Sequence, residues 1–420
     1  MKVLFINKTY QSGGAAIAAR QIAESVKLEG IDVSFLVQSE VKPPVEGVES
    51  TSIGYLGRLK QVGLFILERL MFLRWEKSKR LRYAFSPAFT GENILNNTLI
   101  ESCDIIHIHW FNQGFVSLKG LEKLIGSGKP IVWTLHDMWA ITGGCHYAWD
   151  CTNYQDKCGV CPFLKQPSAH DLSSQMWKAK SSFYNSNNTV FVTVSQWLAG
   201  LVSKSSLGKD VPVKAIYNPI DTELFRPLDN KEARLKLGLN PNDKYILFGA
   251  TRIDDQIKGI NYLIAALDLI DEPVKVVVFG GPAKFDIDIL DTFPVEVIYL
   301  GHVSKAEQPV IYSACDVICV PSEYETFGLV AAEAMACGSP VVAFDNSGVA
   351  EVVDHLKNGY LAQHRSVQEL ATGLQWVLNH KSPEQLSKSA REKIIQAFSE
   401  EYIGMQYAQL YKDLYQKMDV

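Results

Sequence analysis

The sequence has no run of apolar residues long enough to cross a bilayer, which takes roughly 20. The nearest candidate, Val62 to Trp75, is broken by Glu68, Arg69 and Arg74. Its opening residues, MKVLFINKTYQSGG, hold only Val3 to Ile6 before polar residues and a double glycine, which reads as a first strand rather than a secretory leader. Positive charge is not in excess. A net charge of -5 gives no global field for nucleic acid, so a nucleic-acid partner is excluded on charge grounds and any cationic surface must be local. There is no solenoid-period repeat and no low-complexity tract. The expectation is a cytoplasmic chain whose eight cysteines are mostly reduced. At 420 residues it can build two cores.

What is present is a rhythm. VLFI (3–6), VSFLV (33–37), DIIHIH (104–109), IVWTLH (131–136) and VFVTVS (190–195) are short apolar runs separated by longer amphipathic ones. The pattern restarts with YILFGA (245–250), VKVVVFG (274–280), VEVIYLG (295–301), VICVPS (317–322) and PVVAF (340–344). Such alternation signals parallel β/α/β units, so the fold class is α/β with two Rossmann-like, doubly wound domains. NPIDTELFRPLDN (218–230), with two prolines and no periodicity, reads as the linker. The expected organisation is a first domain over 1–217 with a cysteine-rich loop at 143–162, a second over 218–395, and a C-terminal helix over 396–420 that packs back on the first. Ligands in such sheets sit at the carboxyl ends of strands, which points to a cleft between the halves.

Several residues gather at those ends. In PSEYETFGLVAAEAMACGSPVVA, a strand closes at Ser322 and a helix begins near Gly328. Its free N–H groups and positive dipole end suit a diphosphate. Glu333 lies about 7.5 Å further along the helix axis, within reach of a ribose diol, and Glu325 before the helix points toward a hexose. Taken alone, either glutamate could be an ordinary surface acid. Arg252 and Lys258, in TRIDDQIKG after strand 245–250, would neutralise a diphosphate leaving group. Gly13 and Gly14 follow the first strand, where absent side chains let backbone approach a phosphate. His136, at a strand end beside Asp137, is a candidate for chemistry; His107 and His109 share one strand face and read as packing and cleft lining.

In this order the motifs resemble the E-x7-E, Arg-to-Lys-Gly, interdomain and acceptor-side histidine elements of the family-four retaining glycosyltransferases of GT-B fold. TLHDMWAITGGCHYAWDCTNYQDKCGVCP is similar to the exopolysaccharide, capsule and O-antigen subgroup. The resemblance implies a cleft between the two domains. It places hydroxyls of the transferred sugar on Glu325 and the nucleotide ribose on Glu333. The diphosphate falls to Arg252, Lys258, the backbone N–H groups of Phe327, Gly328 and Leu329, and Gly13 with Gly14. His136 would stand by donor sugar and acceptor. One departure is Ser347-Gly348, where the family often has Gly-Gly. The implied function is retaining transfer of a sugar from a UDP- or GDP-sugar to a glycan or lipid-linked saccharide, in surface polysaccharide biosynthesis of bacterial type. No catalytic metal is required, since two cations and a helix end already face the diphosphate. A GT-B sugar-nucleotide epimerase and a non-catalytic sugar-nucleotide-binding protein are the alternatives.

Two further stretches stand out. Cys145, Cys151, Cys158 and Cys161 form C-x5-C-x6-C-x2-C, whose closing pair resembles a zinc knuckle. A structural zinc, two disulfides and four unligated thiols are the competing readings. Residues 58–83 carry eight cations against two acids, interleaved with Leu, Phe, Met and Trp. That suits an anionic membrane surface, at the inner face of the membrane, or equally a helix packed on the first domain with snorkelling lysines.

Overall fold

The computed structural model describes residues 1–184, 188–281 and 287–417, without the side chains of residues 80, 287 and 288. Arg80 of the basic stretch and residues 418–420 of the last helix are therefore calls that lie in part outside the described residues. The chain divides into two compact units, Met1–Tyr217 with Ile403–Val420, and Asn218–Tyr402.

In the first unit seven strands are β1 (Lys2–Asn7), β2 (Asp32–Ser39), β3 (Val48–Ser52), β4 (Ile105–Ile108), β5 (Ile131–Leu135), β6 (Thr189–Thr193) and β7 (Val213–Ala215). They lie in the order β3-β2-β1-β4-β5-β6-β7, with every pairing parallel. Val3, Leu4, Phe5 and Ile6 are all fully buried, so β1 has no solvent face; this is why it reads as a continuous apolar run rather than an alternating one. The order reverses between β1 and β4, whose register pairs Val3 with Ile105 and Ile6 with Ile108. The crevice above that switch is where such sheets hold ligands.

The helix Glu400–Gln416 closes this core. Ile403, Tyr407 and Tyr411, one turn apart, bury against Phe5, Ile105, Val132 and Val192. Gly404 is obligatory, because a Cβ there would stand 2.4 Å from the Ser25 carbonyl oxygen. Tyr411 Oη and His107 Nδ1 share a 2.7 Å hydrogen bond, and Tyr407 Oη lies 3.2 Å from Thr134 Oγ1. His107 is thus a core histidine tied to the last helix.

The second unit holds β8 (Tyr245–Arg252), β9 (Lys275–Gly281), β10 (Val297–Gly301), β11 (Val317–Val320), β12 (Val341–Phe344) and β13 (Gly359–Ala362), in the order β10-β9-β8-β11-β12-β13, again parallel. The switch falls between β8 and β11. After β11 the helix Leu329–Ala336 is buried nearly all round, which explains its alanine-rich, non-amphipathic sequence. Its C-terminal carbonyl at Ala336 accepts from Arg391 Nη1 at 2.8 Å. Strands β3, β7 and β13 carry too little periodicity to be read from sequence. Residues 347–362 contain the short helix Val349–Val352 and strand β13.

The contacts of Tyr411 predict that Tyr411→Phe, which leaves His107 Nδ1 buried without its partner, costs about 1–3 kcal/mol, while Tyr411→Ala costs about 3–5 kcal/mol. Denaturant unfolding should show this ranking; equal stability of the two variants would contradict it.

Candidate active site

The second unit gathers polar groups at the β8 and β11 ends. Gly259, at φ +72, lets the turn after β8 pass so near β11 that a Cβ would meet the Pro321 carbonyl oxygen at 1.9 Å. This brings Lys258 to Glu325, Nζ to Oε2 at 2.7 Å. Burial opposes the Lys258 charge, yet the carboxylate more than offsets it and its pKa is raised. Arg252 forms a two-point pair with Asp254, at 2.8 and 3.2 Å, and its guanidinium is more than half exposed. Asp255 caps the following turn at the Ile257 N–H, so both aspartates of this loop are engaged within it.

The helix Leu329–Ala336 starts at Gly328, φ +99, with no side-chain cap, so its first N–H groups keep no partner from its own cap. Gly348 lies against the loop before it, where a Cβ would be 2.0 Å from the Thr326 carbonyl oxygen, and its N–H donates to the Glu325 carbonyl at 2.8 Å. Glu333, one turn into the helix, is buried. Burial pushes its carboxyl up to about 7, against Lys305 at 3.8 Å and the Tyr312 hydroxyl at 3.3 Å. Ser347 Oγ and Asn346 Oδ1 are buried with no hydrogen-bond partner. A carboxyl held this far from water and two orphaned polar atoms around an uncapped helix start form a cradle for a hydroxylated anion. Glu323 faces elsewhere, accepting from Tyr262, His364 and Arg365.

In the first unit, His136 follows β5 and lines a small pocket with His109, Trp110 and Asp137. Its Nε2 is 2.9 Å from His109 Nδ1, and the two rings stack at 5.2 Å. Burial pushes His136 down to about 4, only partly opposed by Asp137, and drives His109 well below the usual range. Both imidazoles are therefore neutral at pH 7. Burial works against the Asp137 charge, but His146 at 2.7 Å and the Trp139 N–H more than compensate and hold its pKa down. Trp110 Nε1 also donates to Asp137, and His146 Nε2 meets Ser86 Oγ at 2.8 Å. Gly13, at φ +94, heads the helix Gly14–Leu28 without a side-chain cap, and a Cβ on Gly13 or Gly14 would meet nothing within 4 Å.

Cys145, Cys151, Cys158 and Cys161 line one pocket with Phe85, Tyr154 and Phe163. Cys158 Sγ accepts from the Gly143 N–H at 3.2 Å. Among the described residues, however, no group of three or more His, Cys, Asp or Glu stands ready to hold a metal ion, so the zinc expectation finds no assembled ligand set. No disulfide forms either. Burial pushes the Cys158 and Cys161 thiols up to about 11 and about 12 and raises Cys145 as well, so as free thiols they are protonated and pack as small apolar groups.

Comparison with known proteins gives this geometry a family. Residues 12–224 match the family model described as Glycosyltransferase Family 4, and residues 229–393 match Glycosyl transferases group 1. The chain belongs to glycosyltransferase family 4. An uncharacterized glycosyltransferase of Methanocaldococcus jannaschii is 26% identical over 98% of both chains. D-inositol 3-phosphate glycosyltransferase of Rhodococcus erythropolis is 27% identical over 69% of this chain and 62% of its own. Sucrose-phosphate synthase of Thermosynechococcus elongatus superposes with TM-score 0.72 at 21% identity over 99% of both chains. Anabaena HepE, solved with UDP-glucose, superposes with TM-score 0.65 at 20% identity over 98% of this chain and 100% of its own. These likenesses show the GT-B fold.

Within this glycosyltransferase, Arg252, Lys258, Glu325, Phe327, Gly328, Leu329 and Glu333 gather at one sheet switch, whereas His136 follows β5, one strand beyond the other switch, and meets His109 at the end of β4. Sequence reasoning missed Lys305 and Tyr312, met Ser347 only as a departure from the family's Gly-Gly, and took His109 for lining when it hydrogen-bonds His136. The position of Lys305, four residues past the end of β10, was an available signal; Tyr312, inside a helix, offered none.

Glu333 yields a pH prediction. Its folded pKa, about 7, lies above the ordinary 4.5, so the folded state binds more protons between those values. Stability then falls as pH rises from about 4.5 to 7 and levels off above. Glu333→Gln should flatten this slope and stabilise the free protein above pH 7 by up to about 3 kcal/mol. Thermal unfolding at pH 5 and 8 measures it; an unchanged slope would remove the buried-carboxyl account.

Proposed function

We propose that this family-four enzyme is a retaining hexosyltransferase that moves a sugar from a UDP- or GDP-sugar to a saccharide or lipid-linked saccharide, in surface polysaccharide assembly at the inner face of a membrane. The observation that carries the donor reading is the cradle of buried Glu333, the unpaired Ser347 Oγ and Asn346 Oδ1, and the uncapped start of helix Leu329–Ala336. That HepE was solved with UDP-glucose favours a UDP-sugar.

In this reading Glu333 accepts from the ribose hydroxyls, and its raised pKa falls once those donors arrive. Breaking the glycosyl phosphate bond places negative charge on the departing diphosphate, so stabilisers belong on that side. Arg252 and Lys258 supply two cations, the Phe327, Gly328 and Leu329 N–H groups supply dipoles, and Gly13 with Gly14 leave backbone free for phosphate contact. Lys258 shares its charge between Glu325 and the phosphate; Glu325 in turn holds hydroxyls of the transferred sugar. His136, neutral and backed by His109, serves as a hydrogen-bonding group to sugar and acceptor. The proton of the attacking hydroxyl passes to the leaving phosphate oxygen, which gives front-face attack and retained configuration. An epimerase reading uses the same cradle, but nothing in the first unit's His136 pocket would then have a use.

Pure protein given UDP- and GDP-sugars with saccharide acceptors should release nucleoside diphosphate and form an α- or β-linked product of the donor's own anomeric configuration. Lys258→Ala should lower turnover by about a hundredfold to a thousandfold with the fold intact. Wild-type turnover in that variant would overturn the assignment of the β8 loop, and an isomerised free sugar would replace the transferase with an epimerase.

A further inference from the structure

The helix Gly54–Phe72 buries Phe72 against Phe85 but leaves most of its apolar side chains facing out. Tyr55, Leu59, Val62, Ile66, Leu70 and, just past its end, Leu73 recur at three- and four-residue spacing, which sets them on one face. That face is exposed: Tyr55 is 77% and Leu70 is 58% accessible, and Leu56, beside it, is 79%. The residues buried beneath the helix include Glu68 and Arg69, paired at 2.7 Å, with Arg69 also donating to the Arg82 carbonyl at 2.6 Å. This orientation is fixed. A Cβ on Gly57 would stand 2.5 Å from the Ser52 backbone, so the helix start is held against β3, and Thr90 Oγ1 donates to the Leu64 carbonyl at 2.9 Å.

The exposed charges of this segment are all of one sign. Arg58, Lys60, Arg74, Lys77 and Lys79 reach solvent. Glu68 is buried, and Glu76 is 6% exposed and held by Arg82 at 3.0 Å. Lys60 is paired with buried Glu92 at 2.6 Å, and Glu40, held by Lys42, meets the helix start at Gly54, so the cations left facing solvent are Arg58, Arg74, Lys77 and Lys79. An apolar stripe a whole helix long with a net cationic border matches a surface that is apolar within and anionic at its border. We propose that the Gly54–Leu73 face docks in the plane of an anionic lipid bilayer, its leucines among the acyl chains and its cations at the headgroups. The inference deepens the proposed function and rests on its lipid-side placement; it names the surface that achieves it.

The full chain is floated with phosphatidylcholine vesicles with and without phosphatidylglycerol. It should rise with the anionic vesicles, less so at high salt. Leu56→Ser with Leu59→Ser and Leu70→Ser, all at exposed positions, should lower partitioning by at least about tenfold. Arg58→Glu with Arg74→Glu should abolish the preference for phosphatidylglycerol. Failure of the wild type to float at low salt, or equal flotation of the serine variant, overturns the proposal. A dimer that the serine substitutions dissociate, with no flotation, assigns the face to a second copy and overturns it too. Donor-dependent diphosphate release is measured on the same samples: if it persists while flotation fails, only the membrane inference falls, whereas its absence from the wild type strikes the proposed function.

Discussion

Parallel strands covered on both faces leave a chain almost no place for polar chemistry except their ends. In each unit the central strands are dry, and a buried polar group without a partner costs about 1–3 kcal/mol. The groups that must meet a ligand are therefore pushed to the carboxyl edge, and there to the switch where the strand order reverses. Lys258 leaves β8 and Glu325 follows β11, the two strands that flank the switch of the second sheet, and their ion pair spans it. In the first sheet His109 follows β4 and His136 follows β5.

The two edges are electrically unlike, and burial is the common cause. In the second unit it raises Glu333 toward neutrality and is outweighed at Lys258 by the Glu325 carboxylate, leaving a buried carboxyl beside cations held in ion pairs. In the first unit the same desolvation strips charge from His107, His109 and His136, because the nearest carboxylate, Asp137, is already committed to His146, Trp110 and the Trp139 N–H. A neutral imidazole beside a neutral imidazole can orient hydroxyls but cannot supply a strong acid at pH 7. That limit is why the proposed chemistry gives the proton to the leaving phosphate and keeps histidine for positioning.

Much of this was legible in the sequence, for a physical reason. Buried parallel strands write themselves as unbroken apolar runs, and the tight passages around Gly259, Gly328 and Gly348 fix short motifs at strand ends. Glu325, Glu333, Arg252 and Lys258 could be named from those motifs. What could not be read depends on contacts between distant segments. Tyr312 reaches Glu333 from a helix of no distinctive pattern, and Ser347 and Asn346 become significant only because folding leaves their oxygens without partners. The cysteines show the same divide: their spacing suggests thiolates around a metal, but spacing carries no information about desolvation, and burial raises the Cys158 and Cys161 thiols.

The Gly54–Phe72 helix shows the same divide most sharply. Its composition announces an amphipathic basic segment, and in water the cheaper orientation would turn the leucines inward, since each apolar side chain withdrawn from solvent gains on the order of 1.5–3 kcal/mol. Packing forbids it. Gly57 holds one end against Ser52, and deeper along the helix Arg69 satisfies two carbonyls, at Arg82 and Phe85, that would otherwise be buried and unpaired. A buried ion pair such as Glu68–Arg69 is weak evidence of stabilisation by itself, because desolvation consumes most of its attraction. Its effect here is orientational. By fixing which side of the helix is inside, it forces the hydrophobic side out, and an exposed apolar stripe of this length is tolerable only if another apolar phase meets it.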